Sequence, residues 1–512
     1  MTTQHIIKTA LVIACSVGFT ACSLNEDLGS NLNQQQADSL IKASQLLGSA
    51  YDNLQNAYQD FSQTWGMCEI STDEALGPTR GGDWDDNGVW RALHQHQWTP
   101  DHSHIQNTFS ALLLEQFSAT NVLNFRPTPR QEAEARFLRA FSMFAVIDLY
   151  GQVPFRSPGE NLLEAPKVYK AAEGLDFIIS ELNAILPNLP DRVTAKDAYV
   201  ANQDAARFLL MKIYLNKGAF LNRKAPTFDA ADMQKVIALA DQITASGYSL
   251  QPKYFDTFAR DNDAKSTENI FTQLNGPGVS NNRNGNNVYC RWMCTLHYSQ
   301  NPSGWNGFTT LSDFYDSFEA TDTRRGGDYP GVTNVSGLKV GFLLGQQYDQ
   351  NGNKILDRSN RPLIFTREVE LRATGTQVEM SGIRVVKYPP DMGSSGSNAT
   401  NDFVFFRYAD AVLMKAEALL RTGNAAAALV IVNDLRLKRG ATPFTSLDLT
   451  KMLAERGREL YWEGWRRMDL IRFGKYLDAW QLKTASDPKY LLFPIPTSDL
   501  AVNKNLVQNP GY

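Results

Sequence analysis

The stretch FRYADAVLMKAEALLRTGNAAAALVIVNDLRLKRGA, residues 406–441, decides the fold because it holds two consecutive helical patterns. The patterns meet at RTGN, residues 421–424, where glycine and asparagine favour a turn. Alanines stand where the two helices must approach each other closely. The stretch therefore predicts a helical hairpin.

The same organisation recurs in the N-terminal half. EAEARFLRAFSMFAVIDLY, residues 132–150, repeats apolar residues at spacings of three and four and predicts an amphipathic helix that ends before Gly151. The hairpin at 406–441 has the length, about 34 residues, and the Ala and Gly placement of a tetratricopeptide unit, and segment 202–246 resembles it more loosely. We therefore predict a mostly α, tetratricopeptide-like scaffold of stacked helical hairpins. Further helices are predicted at 37–64, 104–124, 171–187, 202–218 and 230–246.

The middle of the chain, about 251–402, has a different composition. It is rich in Gly, Asn, Ser and Asp, with short β-type runs such as GIRVVKYP at 382–389. Loops of this length are either functional or disordered. Because disordered linkers contain few aromatic residues, the aromatics Tyr289, Trp292, Tyr298 and Trp305 favour a functional, loop-rich insertion.

The overall composition excludes some function classes. The chain has 512 residues, of which 43% are hydrophobic and 20% charged, so wholesale disorder is excluded. The formal net charge is -4 and there is no long basic run. These values argue against a nucleic-acid partner.

The N-terminus carries a secretion pattern. One lysine precedes the short apolar run TALVIACSVGFTA, which is too short to span a bilayer. The following GFTAC resembles a bacterial lipoprotein signal, which predicts a signal peptide at 1–21 and lipidation of Cys22. Cys15 is a competing match, but cleavage there leaves an apolar run of about six residues, below the usual range.

Polar residues follow the predicted lipidation site. The segment 22–36 contains the polar run SLNEDLGSN, which predicts a flexible tether after the lipidated cysteine. More than one acyl chain on Cys22 would make the anchoring stable. Glu26 and Asp27 resemble the acidic export tag of surface lipoproteins in the Bacteroides group, with a solvated linker as the alternative. We therefore expect a lipid-anchored outer-membrane protein that faces the cell exterior.

Few cysteines remain in the folded part. Cys68, Cys290 and Cys294 make no disulfide framework, and an i,i+4 pair on a helix has poor disulfide geometry. No second Cys or His pair stands at finger-like spacing, so zinc has little support. Whether Cys290 and Cys294 pair, and whether a structural cation binds, stays open at this point.

Charged residues of ERGRELYWEGWRRMDLIRFG, residues 455–474, recur three or four apart. This spacing predicts ion pairs along a helix, with Leu460 and Leu470 facing inward. We interpret the pattern as a network that holds the fold, with catalytic carboxylates as the alternative, because ion-pair clusters are common structural features. Trp462 and Trp465 are predicted to belong to the core.

Four segments together resemble the SusD/RagB family of surface glycan-binding lipoproteins of Bacteroidota. They are EARFLRAFSMFAVIDLYGQVPF (134–155), FFRYADAVLMKAEALLRTGN (405–424), ERGRELYWEGWRRMDLIRFGKY (455–476) and FPIPTSDLAVNKNLVQNPGY (493–512). The resemblance implies a SusD-like helical scaffold with an irregular ligand-binding half. It also implies a partner, a SusC-like TonB-dependent transporter barrel, to which the protein hands oligosaccharide without catalysis or a cofactor.

The domain layout follows from the patterns and the resemblance. After the signal peptide and tether we predict an N-terminal SusD-like helical region at 37–250. A C-terminal region at 251–512 follows, with the insertion at about 251–402. A peptide-capturing protein of the RagB type, a subunit that gates the transporter with little ligand affinity, and an enzyme are the alternatives.

The segment GDWDDNGVWRALHQHQWTPDHSH, residues 82–104, holds three tryptophans and four histidines. On a strand the histidine pairs would converge on a cation, but a helix over this segment would point them apart, so we predict no metal site. Its aspartates do not by themselves indicate hydrolysis, because loops attract Asp for turns. Tryptophans beside Asp and Arg suit a sugar-binding surface, since pyranose rings lie flat on aromatic rings.

The predicted ligand-binding residues come from two segments that we expect to face each other. They are Asp73, Arg80, Asp83, Trp84 and Trp98 from the first segment, and Tyr289, Trp292 and Trp305 from the second, 275–308. Packing in the core is the alternative for Trp90 and Trp98. Asn287, Arg291 and Asn306 are expected to donate hydrogen bonds beside the second group.

Overall fold

The computed structural model describes residues 43–512, except 193, 278, 280–287 and 395–397. The predicted signal peptide, the Cys22 lipidation site, the tether and Asn287 lie outside the described residues. Within the described part of the chain, no helix is both long enough and apolar enough to cross a membrane.

The helices pack as a row of hairpins that follows the chain. They are α1 (Ala43–Leu54), α2 (Thr64–Ile70), α3 (Val89–Gln95), α4 (Ser103–Val122), α5 (Pro129–Tyr150), α6 (Ala171–Ile185), α7 (Gln203–Leu221), α8 (Ala230–Ala245), α9 (Asn262–Lys265), α10 (Cys290–Met293), α11 (Ser312–Asp316), α12 (Thr333–Ser336), α13 (Tyr408–Arg421), α14 (Ala425–Lys438), α15 (Leu449–Leu460), α16 (Arg466–Arg472) and α17 (Thr497–Val502). Helix α1 packs on α4, α4 on α5, α5 on α6, α6 on α7, α7 on α8, α8 on α13 and α13 on α14. The predicted mostly α scaffold of helical hairpins is confirmed.

Local sequence sets the ends of these helices. Thr128 and Gln131 form a capping box at the start of α5, and the helix ends at Gly151, whose φ of 73° suits glycine. In the opening hairpin, the Asn424 side chain accepts the Ala427 N–H at the start of α14. The predicted turn at 421–424 is therefore present.

Helix α5 differs from its predicted amphipathic form. From Phe137 to Tyr150 every residue is buried, because α4 and α6 flank the helix and strand residues cover its remaining face. The Phe137 ring centroid lies 5.1 Å from that of Phe271, and the Phe141 centroid lies 5.2 Å from that of Phe406. The helix is thus the centre of the core, which one sequence segment alone does not reveal.

The strands are short. They are β1 (Thr79–Arg80), β2 (Gln152–Phe155), β3 (Lys167–Lys170), β4 (Asn269–Gln273), β5 (Gly326–Gly327), β6 (Val340–Leu343), β7 (Gly345–Gln346), β8 (Ile364–Phe365), β9 (Arg372–Ala373), β10 (Arg384–Val386) and β11 (Phe403–Arg407). Strands β10, β6 and β5 form a three-stranded antiparallel sheet, β11 pairs antiparallel with β4, and β1 pairs parallel with β9. The predicted β-type run at 382–389 contains β10, and the α-helices described within the insertion are only four or five residues long.

The charged residues of α15 and α16 form a buried network. Arg407, at the end of β11, contacts Glu463 at 2.7 Å, Glu459 at 2.8 Å and Glu268 at 2.9 Å, and Glu459 also pairs with Arg439. A turn at residues 461–465 separates the two helices, so most pairs join different elements. The predicted arrangement along one helix is corrected accordingly, while Leu460 and Leu470 are buried as expected.

Candidate ligand-binding site

The structure brings the two predicted segments into contact at Trp84. The Trp84 Nε1–H donates to the Trp305 carbonyl at 2.8 Å, and the Arg80 Nε–H donates to the Gly307 carbonyl at 3.0 Å. A Cβ added to Gly307 would lie 2.4 Å from the Trp84 ring, so only glycine allows this approach. Residues 80–84 of the first segment and the loop of the second therefore form one surface.

A strained turn presents the Trp84 side chain. Arg80 and Asp83 exchange backbone hydrogen bonds at 2.8 and 3.0 Å, and Trp84 follows with a φ of 59°. A left-handed conformation costs a residue with a side chain about 1–3 kcal/mol, and such strain is found where function requires it. The contacts of the Trp84 ring with the second segment offset this cost.

Three half-buried rings form what we call the aromatic patch: Phe61, Trp84 and Trp305. The ring centroid of Phe61 lies 6.0 Å from that of Trp84 and 5.7 Å from that of Trp305. Buried Trp90 and Phe308 support the patch, with the Phe308 centroid 5.0 Å from that of Trp84. The patch is an apolar surface fixed from behind and partly open to solvent.

Polar side chains lie beside Trp84 and form what we call the polar rim: Asp83, Tyr298, Arg358 and Glu379. The Tyr298 hydroxyl donates to Asp83 Oδ2 at 2.9 Å, and the Arg358 guanidinium lies 4.1 Å from the Tyr298 ring centroid. Glu379 accepts the Arg358 Nε–H at 2.6 Å, and the Arg358 Nη2 lies 3.7 Å from Asp83 Oδ2. The rim therefore presents donors and acceptors together.

The charge states of the rim are set by its contacts. Partial burial and the Asp83 carboxylate raise the pKa of Tyr298 to about 12, so its hydroxyl stays protonated at neutral pH. Partial burial acts to raise the pKa of Glu379, but hydrogen bonds from Arg358 and His297 outweigh it and lower that pKa. Burial lowers the pKa of His297. Glu379 is therefore ionised and His297 is mainly neutral near pH 7.

Several predicted ligand residues are placed away from solvent. Trp98, Tyr289 and Trp292 are at most 3% exposed, and the Trp98 ring packs against Phe493 at 4.7 Å, with its Nε1–H donated to the Tyr512 hydroxyl. Burying a large ring removes much apolar area from water, and these rings have no face open to a sugar in this structure. The expectation that they contact ligand is corrected to supporting positions in the core.

The predicted polar residues Arg80 and Asp73 are also engaged within the fold. Arg80 is 1% exposed and donates to the carbonyls of Gly307, Val378 and Ser381. Asp73 accepts two hydrogen bonds from Arg466, at 2.7 and 2.8 Å. Arg291 and Asn306 are buried as well. Of the eight predicted residues, Asp83, Trp84 and Trp305 remain accessible in the site.

The four histidines of residues 82–104 are packed within the fold. His94, His96 and His102 each have a ring nitrogen 3.0–3.2 Å from a backbone carbonyl oxygen, and His104 packs on Trp90 with ring centroids 4.4 Å apart. His94, on helix α3, contacts the Ala75 and Gln481 carbonyls, whereas His96, just after the helix, contacts the Ser71 carbonyl. Among the residues that the structure describes, no cluster of three or more His, Cys, Asp or Glu is arranged to hold a metal.

The three cysteines of the described part are buried free thiols. Cys290 and Cys294 lie one helical turn apart in and after α10 and are not bonded to each other. Burial raises the pKa of Cys290 to about 11, so its thiol is protonated at neutral pH. These thiols therefore belong to the packing of the insertion.

Sequence reasoning missed four members of the site: Phe61, Tyr298, Arg358 and Glu379. Phe61 stands in the polar stretch QDFSQT, residues 59–64, and Arg358 stands in a turn, DRSNRP at 357–362. Neither position carries a sequence signal, because each joins the site through residues more than 20 positions away. Tyr298 did have a signal, since it is one of the aromatics of the insertion.

Comparisons with known proteins agree with this architecture. The model of the SusD family matches residues 255–512. The starch-binding protein SusD of Bacteroides thetaiotaomicron is 27% identical over an alignment of 579 positions, which covers 99% of each chain.

Solved structures share the fold. A SusD superfamily protein from Parabacteroides distasonis superposes with a TM-score of 0.71 at 18% identity, covering 94% of this chain and 100% of that one. Surface glycan-binding protein A from Bacteroides thetaiotaomicron, in complex with laminarihexaose, gives a TM-score of 0.67 at 19% identity, with 91% and 98% covered. The family match in the C-terminal half and the relative aligned along the whole length identify the chain as a member of the SusD family.

Proposed function

We propose that the protein is a cell-surface glycan-binding lipoprotein that captures an oligosaccharide at the aromatic patch and the polar rim. The observation that carries this proposal is the fixed, half-buried group of Phe61, Trp84 and Trp305 beside exposed polar side chains. A starch-binding relative and a fold neighbour that holds laminarihexaose support the choice of a glycan.

The chemistry of the site suits a pyranose. The apolar C–H face of a sugar ring stacks on an aromatic ring, and its hydroxyls need donors and acceptors at the edge of that ring. Asp83 offers carboxylate oxygens, and Arg358 offers the outer nitrogens that Glu379 does not occupy. The ligand is thus held by stacking on the patch and oriented by the rim.

We further propose that the ligand is bound without cleavage. A glycosidase needs a carboxylic acid with a raised pKa near a second carboxylate. The pKa of Glu379 is lowered instead, and Asp83 accepts the Tyr298 hydroxyl and lies near Arg358. With Glu379 ionised, the rim suits holding a sugar better than protonating a glycosidic oxygen.

The proposed cellular role includes an anchor and a partner. Lipidation at Cys22, after a signal peptide at 1–21 and before a tether at 22–36, would hold the protein on the outer membrane. The helical region at 37–250 and the C-terminal region at 251–512, with its insertion at about 251–402, would carry the site. The captured oligosaccharide passes to a SusC-like TonB-dependent transporter. Family membership and the lipoprotein pattern support this part of the proposal.

Affinity electrophoresis of the full chain through gels that contain single polysaccharides, starch and laminarin among them, tests the ligand class. We expect retardation by at least one glycan, and we expect Tyr298→Ala to reduce it. Tyr348→Ala is the matched control, because Tyr348 is an exposed tyrosine outside the rim. Migration that no glycan changes, together with binding of oligopeptides, would overturn glycan capture in favour of peptide capture.

Two further measurements test the cellular role. We expect Cys22→Ala to release the protein from the membrane fraction. We also expect the lipidated protein to co-purify with a TonB-dependent barrel after mild solubilisation. Retention of the Cys22→Ala protein on the membrane would contradict the anchor, and recovery of the protein without a barrel would contradict the partner.

A further inference from the structure

A second cleft opens in the insertion, between the turn at residues 252–256 and the hairpin of β5 and β6. It encloses about 1280 Å³, part of it open to solvent. Its walls include Lys253, Asp256, Asp328 and Tyr329, and Val340 lies at its base. None of the residues that line it belongs to the aromatic patch or the polar rim. The cleft is large enough for a small ligand.

Tyr329 gives this cleft an aromatic wall with a fixed position. Its hydroxyl donates to Asp256 Oδ1 at 2.6 Å, and its backbone N–H donates to the Thr333 hydroxyl at 2.9 Å. The ring is half-buried, and among the described residues it makes no aromatic pair and no cation–π contact. By contrast, Tyr254 at the base of the same cleft is buried against Phe255. The Tyr329 ring is therefore held at its polar end and packs partly against the core, while its half-exposed side is not stacked on any other ring that the structure describes.

Bare backbone forms part of the lining next to Tyr329. Gly326 and Gly327 make up β5, which is the edge strand of its sheet. A Cβ added to Gly327 would meet no atom within 4 Å, so space lies open beside this residue. Edge backbone groups and an open surface leave room for a polar ligand to approach closely.

The charges around the cleft do not favour an ion of either sign. Lys253 and Lys265 are exposed cations, and Lys265 already pairs with Asp261 at 3.0 Å. Asp328 is exposed and lies 3.6 Å from Lys339. A neutral ligand with an apolar face and several hydroxyls matches this surface better than a strong acid or base.

We propose that this cleft is a second carbohydrate-binding site, in which a sugar ring stacks on Tyr329 and its hydroxyls contact Asp328 and Lys253. The inference rests on the proposed function, since the ring would belong to the same class of glycan that the aromatic patch binds. Once a polysaccharide occupies the first site, its other sugar rings have a high effective concentration at the second site. A polysaccharide that reaches both sites therefore binds more tightly than a hexasaccharide.

Titration calorimetry and affinity electrophoresis on the full chain test the second site. The probes are starch with maltohexaose and laminarin with laminarihexaose. For the glycan that binds, we expect two hexasaccharides per chain in the wild type and one in Tyr329→Ala. We also expect Tyr329→Ala to weaken polysaccharide retention about threefold or more. Tyr298→Ala should lose the other site, and the double variant should lose both.

Further variants separate stacking from damage to the fold. Tyr329→Phe keeps the ring and should keep two hexasaccharides per chain, whereas Tyr348→Ala removes an exposed tyrosine outside the cleft and should change nothing. One hexasaccharide per wild-type chain, lost in Tyr298→Ala and unchanged in Tyr329→Ala, would overturn the second site and leave the proposed function intact. If none of the four probes binds, the second site is overturned together with its premise of a starch- or laminarin-type glycan.

Discussion

The buried charge network and the polar rim use the same residue types for different ends. Arg407 in the network is 1% exposed at its side chain and contacts three carboxylates at 2.7–2.9 Å. Arg358 in the rim is 52% exposed and has one close carboxylate, Glu379, with its guanidinium over Tyr298. Every nitrogen of Arg407 has a partner in the protein. The outer nitrogens of Arg358, in contrast, remain available to a ligand.

The energies of the two regions differ for the same reason. Removing one partner from a buried pair leaves a charge without water or counter-charge, which costs about 3–5 kcal/mol. At an exposed pair water replaces the lost partner, so the loss is about 0–1 kcal/mol. In the network, burial acts to raise the pKa of Glu455, but Arg324, Arg458 and Arg436 hold it at about 2. Glu455 is therefore ionised across the physiological pH range, and these arginines balance its charge.

Glu459→Ala is expected to have the largest effect on stability. Glu459 is fully buried and contacts Arg324, Arg407 and Arg439 at 2.8–3.1 Å. Its removal leaves excess buried positive charge, and we expect the free energy of unfolding to fall by about 3–5 kcal/mol in urea denaturation.

Glu132→Ala serves as the matched control. Glu132 pairs with Arg136 at 3.2 Å at an exposed position of α5. We expect a change of less than about 1 kcal/mol for this variant. Equal losses for Glu459→Ala and Glu132→Ala would break the distinction between buried and exposed pairs.

Gly307→Ala is expected to connect the core with the aromatic patch. The added Cβ would lie 2.4 Å from the Trp84 ring and 2.8 Å from the Cys294 carbonyl oxygen, so the ring must move. We expect overpacking to cost about 1–3 kcal/mol in stability and to weaken glycan retention, although Gly307 itself has no side chain to contact ligand. Gly82→Ala is the control, because a Cβ there meets no atom within 4 Å. Unchanged binding by Gly307→Ala would show that the position of Trp84 does not matter.

The sequence predicts the scaffold well because helical signals are local. The turn at 421–424, the capping box at Thr128 and the end of α5 at Gly151 all depend on residues within one or two turns. The burial of α5 on every side is not local, since Phe271 and Phe406 come from strands far along the chain. The network is likewise missed in its true form, because its pairs join separate elements.

The candidate site is only partly predictable for the same reason. Asp83, Trp84 and Trp305 stand out as aromatic and acidic residues in polar loops, and the fold brings them together. Trp98 carries the same local signal, but its partner Tyr512 lies 414 residues further along and completes a buried cluster. Arg358 has no local signal at all. Composition therefore identifies candidates, and long-range packing decides which of them face solvent.

A third test concerns two buried carboxyl groups beside the network. Glu69 and Glu74 accept backbone N–H groups of Gly464 and Trp462, and each has one oxygen without a hydrogen-bond partner. Burial raises the pKa of Glu69 to about 7, and burial with the neighbouring Glu69 charge raises the pKa of Glu74 well above its usual range. The pair therefore retains a proton near pH 7, unlike Glu455 of the network.

The pH dependence follows from these raised values. Because the pKa of Glu69 is higher in the folded than in the unfolded protein, its protonated form contributes its full stability below the unfolded-state pKa of about 4.5. This contribution is lost as the pH rises through the folded-state pKa of about 7. Between pH 6.5 and 8.5 we expect the free energy of unfolding of the wild type to fall by about 1 kcal/mol more than that of Glu69→Gln. Gln is neutral at every pH and removes this loss. Parallel pH profiles for the two proteins would contradict the retained proton.

Arg358→Ala is expected to have the smallest effect on stability and a selective effect on binding. The side chain is half exposed, and water replaces its contacts with Asp83 and Glu379, so the free energy of unfolding should change by less than about 1 kcal/mol. Glycan affinity should fall about three- to tenfold, because the outer nitrogens and the support of the Tyr298 ring are lost together. Arg358→Lys keeps the charge but not the planar group, and should recover little of the affinity. Full recovery by lysine would mean that Arg358 acts only through its charge, and that the rim does not orient the sugar.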